Sequence, residues 1–126
     1  MAAFRISIRK SLRSFTYAFN GLREVTRNEN NFRFHLLAAA LTLSLAFHFP
    51  ITATEWLFII LFIGLVTMAE VFNTALEKLV DWQSPERNPR AGQIKDMAAG
   101  AVMLASVTAL AGGMIIFYKY FVALIL

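Results

Sequence analysis

Cysteine is absent from the 126 residues, which excludes disulfide frameworks, thiolate zinc sites and cysteine nucleophiles. Histidine occurs only as His35 and His48, too few for an all-histidine metal site. Charge is scarce: Asp, Glu, Lys and Arg make up 16% of the chain, against about a quarter in an ordinary soluble domain. The six glycines never form a GxxxxGK(S/T) loop, and the protein-kinase catalytic loop is missing too. Phosphoryl transfer, if it occurs, needs another scaffold. No internal repeat or low-complexity linker is present, and no apolar leader with a cleavage signal precedes residue 34, so a signal peptide is not expected.

Hydrocarbon fills the chain instead, at 58% hydrophobic residues and a mean hydropathy of +0.58. A chain this short buries a modest fraction of its surface and cannot hide that many apolar side chains in itself. The composition therefore points to a small membrane protein completed by oligomerisation. Phe34 to Phe49 is uncharged and closed by Pro50. Phe32 extends that run, with Arg33 snorkelling, to give a first span over 32–49. A second run starts at Trp56, is uncharged to Ala69 and stays apolar on most faces to Val80, giving a span over 56–80. The third, 97–118, is uncharged throughout. Trp56, Trp82, Tyr118 and Tyr120 sit at the run ends, where interfacial aromatics belong.

The net charge of +4 follows the same plan. Basic residues crowd the N-terminal segment and the loop carrying Arg87, Arg90 and Lys95, whereas Pro50 to Glu55 has none. Positive-inside logic puts the N-terminus in the cytoplasm and the C-terminus outside, in the cell's inner (plasma) membrane. No nucleic-acid motif accompanies the charge, so nucleic acid is not an expected partner. Phe4, Ile8, Leu12, Phe15, Phe19 and Leu22 recur at spacings of 3 and 4, one face of a helix, with Arg5, Arg9, Lys10, Arg13 and Arg23 flanking or opposing it. Residues 1–30 are thus expected to form an amphipathic surface helix, lying in the interface or packed on the protein's own body. The longest expected loop is Gln83 to Ile94, with Pro85, Pro89 and Gly92. The fold class is all-α integral membrane, one domain over 1–126.

The informative stretch is Ala69 to Asp81, AEVFNTALEKLVD. Glu70, Asn73, Glu77 and Asp81 form one polar stripe on an otherwise apolar helix. Hydrogen bonds holding an oligomer together would account for Asn73 and Thr74, but several acids on one face repel unless a cation joins them. Mg²⁺ prefers such hard carboxylate oxygens and commonly arrives with phosphates. Glu29, Lys95 and Asp96 reach the same cytoplasmic side. Glu70 lies deeper, where a desolvated carboxylate suits a general base acting on a buried hydroxyl. These residues read as a site where aqueous phosphate chemistry meets a lipid-borne group. Gly112-Gly113 and Gly100 read as small residues permitting close helix packing.

AEVFNTALEKLVD followed by IKDMAAGAV, with YAFNGLR and NENNFRFHL upstream, resembles the small bacterial integral-membrane lipid kinases, the diacylglycerol kinase and undecaprenol kinase family. The likeness runs from about Lys10 to Val102. It implies a homotrimer of three-span protomers with sites shared between neighbours, and Mg²⁺ with ATP as co-substrate. By that resemblance Glu70 is the general base and Glu29 and Glu77 hold the magnesium. Asn73 and Asp81 surround the nucleotide, and Lys10, Tyr17, Glu86, Arg87, Asn88, Lys95 and Asp96 match positions that contact ATP. Arg13, Ser14, Ala18, Phe19 and Ala99 fall in the family's lipid groove. NFRFHL resembles the NxRxH approach of the undecaprenol branch, which favours undecaprenol as acceptor, with diacylglycerol as the alternative. A non-catalytic oligomeric scaffold or pore would explain the spans but leaves the carboxylate stripe without a task. A proton channel built on Glu70 and Glu77 would show Glu-dependent flux without ATP turnover.

Overall fold

The computed structural model describes residues 8–126, so Phe4 and Arg5 at the start of the amphipathic repeat lie outside the described residues. Four helices follow in order: α1 (Ile8–Asn28), α2 (Asn30–His48), α3 (Ala53–Gln83) and α4 (Pro89–Ile125). Their ends are set by local chemistry. Glu29 alone is extended (φ −106°, ψ 115°) and separates α1 from α2. A capping box starts α3: the Glu55 backbone N–H donates to Thr52 Oγ1 and the Thr52 N–H to the Glu55 carboxylate. Asn88 caps α4 by accepting from the Arg90 N–H, with Pro89 in the first turn, where its missing N–H costs nothing.

That cap corrects one sequence expectation. The loop expected over Gln83 to Ile94 is helical from Pro89 onward, leaving only Ser84 to Asn88 between α3 and α4. Both helices also run past their apolar segments, because caps rather than hydropathy decide where a helix ends.

Helices α3 and α4 pack along each other and α2 packs on α3, whereas the backbones of α2 and α4 stay apart. The α3–α4 pair is antiparallel, pinned by Asp81–Lys95 at one end and Glu55–Lys119 at the other. Near the Pro50 end Ala46, Ile59, Ile116 and Phe117 form the buried core. A Cβ on Gly112 would collide with the Phe62 ring, so that glycine gives close helix approach, as expected.

Both α3 and α4 are long and apolar enough to cross a membrane. Their outer faces are bare of protein: Leu57, Leu61, Leu104 and Ile115 are 62 to 78% exposed. On α1, Ile8, Leu12, Phe15, Phe19 and Leu22 are exposed too, and only Val25 is buried. The chain's own body leaves that face uncovered. Helix α1 is tied down near its C-terminal end, where Glu24 pairs with Lys78 of α3 at 3.2 Å.

Candidate active site

The polar stripe on α3 faces inward. Glu70, Asn73 and Thr74 are 3%, 7% and 2% exposed, the buried polar residues among those described. Burial of a carboxylate among apolar helices needs compensating partners. Asn73 Nδ2 donates to Glu77 Oε1 at 3.4 Å. The charges of His35, Glu77 and Glu29 are near enough to act on Glu70. Glu29 joins this group because the one-residue break places it at the head of α2, beside the same end of α3. Asn73 Oδ1 and Thr74 Oγ1 are buried without a hydrogen-bond partner. Such groups are rare in a finished interior and mark a place where something else bonds.

At the mouth of the stripe Lys95 Nζ meets Asp81 Oδ1 at 2.6 Å. The Asp81 carboxylate, through that hydrogen bond, holds the Lys95 ammonium above the usual lysine value, and the charge of Glu77 adds to it. Lys95 therefore stays cationic beside the stripe throughout the physiological range. It pairs across to α3, leaving its neighbour Asp96 exposed on another face.

The remaining expected positions are not drawn into this cluster. Lys10, Arg13, Ser14, Tyr17, Ala18 and Phe19 sit on the exposed part of α1, which touches α2 and α3 but not α4. Glu86, Arg87 and Asn88 form the α3–α4 linker, where Asn88 serves as the α4 cap. Ala99 is exposed on α4. Two groups join the expected set: Thr74, expected only to help hold an oligomer together, and Ser106. Thr74 belongs to the stripe by spacing and is the most buried of its members. Ser106 interrupts the third apolar run, and its buried Oγ has no partner. Counting equally along α3 from Asp81 and along α4 from Lys95 sets Ser106 level with Glu70.

Among the described residues no three His, Asp or Glu side chains converge as a metal cluster. Glu29 and Glu77 supply two carboxylates, and Asn73 Oδ1 a free oxygen. That donor set fits Mg²⁺ bound with nucleotide phosphates, since this ion takes one or two protein carboxylates and completes its shell with phosphate and water.

The prokaryotic diacylglycerol kinase family model matches residues 16–117. The chain is 37% identical over 113 residues to the undecaprenol kinase of Bacillus subtilis, covering 90% of this chain and 92% of that protein. It is 30% identical over 105 residues to the diacylglycerol kinase of Escherichia coli, covering 83% and 86%. The Haemophilus influenzae diacylglycerol kinase is 30% identical over 108 residues, covering 85% and 92%. A match along most of the chain, across the stripe and the Lys95 turn, shows that the protein belongs to the prokaryotic diacylglycerol kinase family, a family of lipid kinases.

Proposed function

We propose that this protein phosphorylates undecaprenol to undecaprenyl phosphate, using ATP with Mg²⁺ and direct in-line transfer of the γ-phosphoryl group. One observation carries the reading: Glu70 is 3% exposed in an apolar helix, one turn from Asn73 and two from Glu77. A base at that depth serves an acceptor that is itself dissolved in the membrane. The identity to the Bacillus subtilis undecaprenol kinase supports that acceptor over diacylglycerol.

In this scheme Glu70 takes the proton of the lipid hydroxyl, and the freed oxygen attacks the γ-phosphorus. The bond from that phosphorus to the β-phosphate oxygen breaks, ADP leaves, and Glu70 returns its proton to water. Glu29 and Glu77 hold the metal, which when bound neutralises charge on the β- and γ-phosphates. Lys95 faces the phosphates, and Asp81 orients it. Positioning and charge carry most of the rate, as in phosphoryl transfer generally. Asp96 and the 86–88 linker complete the nucleotide contacts.

A homotrimer of three-span protomers fits the exposed faces of α2, α3 and α4, and α1 lies in the cytoplasmic interface with Ile8, Leu12 and Phe15 in lipid. A neighbouring protomer then brings the stranded α1 residues Lys10 and Tyr17 to the nucleotide, and Arg13, Ser14, Ala18, Phe19 and Ala99 line the lipid's path. The protein would sit in the plasma membrane with its N-terminus cytoplasmic. A side-by-side assay with γ-labelled ATP on undecaprenol and diacylglycerol in mixed micelles tests the reading. Labelled undecaprenyl phosphate is expected. Label in phosphatidic acid alone assigns the other lipid, and label in neither removes the kinase reading.

A further inference from the structure

Because the backbones of α2 and α4 stay apart on either side of α3, a groove of about 770 Å³ lies between the three helices. Its walls are hydrocarbon apart from His35, Ser106, Tyr118 and two threonines. Those two are already spent, since Thr42 donates to the Ala38 carbonyl at 2.9 Å and Thr67 to the Ile63 carbonyl at 2.7 Å. One mouth is at His35, Val66 and Thr67, one turn of α3 before Glu70. Ser106, level with Glu70, lines the same end. The groove runs from there toward Phe117 and Phe121, near the Pro50 turn.

The glycine pair expected to serve helix packing divides its work. Gly112 fills that role against Phe62, whereas a Cβ on Gly113 would meet nothing within 4 Å. Gly113 lines the groove. It lies seven residues beyond Ser106, which at 1.5 Å per residue is about 10 Å further from Glu70. A side chain at 113 would therefore stand in the groove at that depth.

We propose that this groove holds the hydrocarbon chain of the lipid acceptor, and that Gly113 is a specificity-determining residue that keeps its far half open to one long chain. The inference deepens the lipid-kinase reading and rests on it. An acceptor hydroxyl at Glu70 is about 16 Å from Asp81 along α3, already well inside the hydrocarbon core. Its chain must leave through apolar surroundings, and the groove, whose near end at Val66 and Thr67 lies one turn of α3 from Glu70, leads onward past Gly113. A slot bounded by single helices on each side suits one flexible chain, its walls apolar between His35 and Ser106 at the Glu70 end and Tyr118 at the other.

The test compares the full-length wild type and Gly113→Leu in mixed micelles on geraniol, an isoprenoid alcohol too short to pass Gly113, and on undecaprenol. The undecaprenol-to-geraniol ratio of kcat/KM is expected to fall about tenfold, the scale of overfilling a packed apolar site, while KM for ATP and the oligomer mass hold. Gly113→Ala, favoured by helix propensity, guards against misfolding and should show a smaller loss in the same direction. An unchanged ratio in both variants overturns the proposal. So does an equal loss on both alcohols with an altered oligomer mass, which would put a neighbouring copy's helix in the groove. If the wild type phosphorylates neither alcohol, the undecaprenol reading fails instead.

Discussion

Lys95 of α4 reaches back to Asp81 of α3, Nζ to Oδ1 at 2.6 Å, across a linker of five residues. The contact sets the α3–α4 register and aims an ammonium at the mouth of the stripe. Its partners are 34% and 64% exposed, so as a surface pair it contributes at most about 1 kcal/mol to stability. Lys95→Ala is accordingly expected to lower kcat/KM for ATP by at least about tenfold, the scale of a charged hydrogen bond, with little change in thermal midpoint. Steady-state kinetics and a melting curve in detergent check this; a large fall in Tm with normal ATP kinetics would make Lys95 structural.

Glu29, in the break between α1 and α2, and Glu77 on α3 both lie near enough to Glu70 for their charges to be felt there. Conversion of either to Gln should move the Mg²⁺ concentration for half-maximal activity upward by about tenfold, as expected when a carboxylate ligand is lost. An unchanged magnesium titration removes them as metal ligands.

At the opposite end of the bundle, Glu55 is bonded by Lys119 at 2.7 Å and Tyr120 at 2.7 Å. The Lys119 ammonium first, then the Thr52 N–H and the Tyr120 hydroxyl, hold its carboxyl down at about 2, below the ordinary 4.5. The folded form thus binds its proton less readily than the unfolded chain. Its stabilisation is complete above about pH 4.5 and is lost as pH falls toward 2. Glu55→Gln should lower the detergent melting temperature at pH 7, with the gap to wild type closing between pH 5 and 2. Parallel melting curves across that range would contradict the assignment.

Much of this arrangement is legible in the order of residues alone. The 3, 4, 4 spacing of Glu70, Asn73, Glu77 and Asp81 specifies an inward stripe because helical periodicity is fixed by backbone geometry. The Phe4-to-Leu22 repeat marks α1 as one-sided. What stayed hidden depends on contacts between helices. Hydropathy marks where apolar residues stop, so the helical turns after Pro89, capped by Asn88, looked like loop. The groove arises because the backbones of α2 and α4 stay apart along most of α3, which no local pattern encodes. For the same reason the different surroundings of Gly112 and Gly113, and the shared depth of Ser106 and Glu70, emerge only once α3 and α4 are in register.

The proposed chemistry turns on a carboxylate buried on α3 that activates a lipid hydroxyl for phosphoryl transfer. Label transfer from γ-labelled ATP to undecaprenol by wild type and Glu70→Gln, at matched oligomer mass in detergent, tests it most directly. Gln at this position is expected to lower kcat by at least about a hundredfold, the lower scale of general-base catalysis, while ATP still binds. Near-wild-type turnover by Glu70→Gln would contradict it.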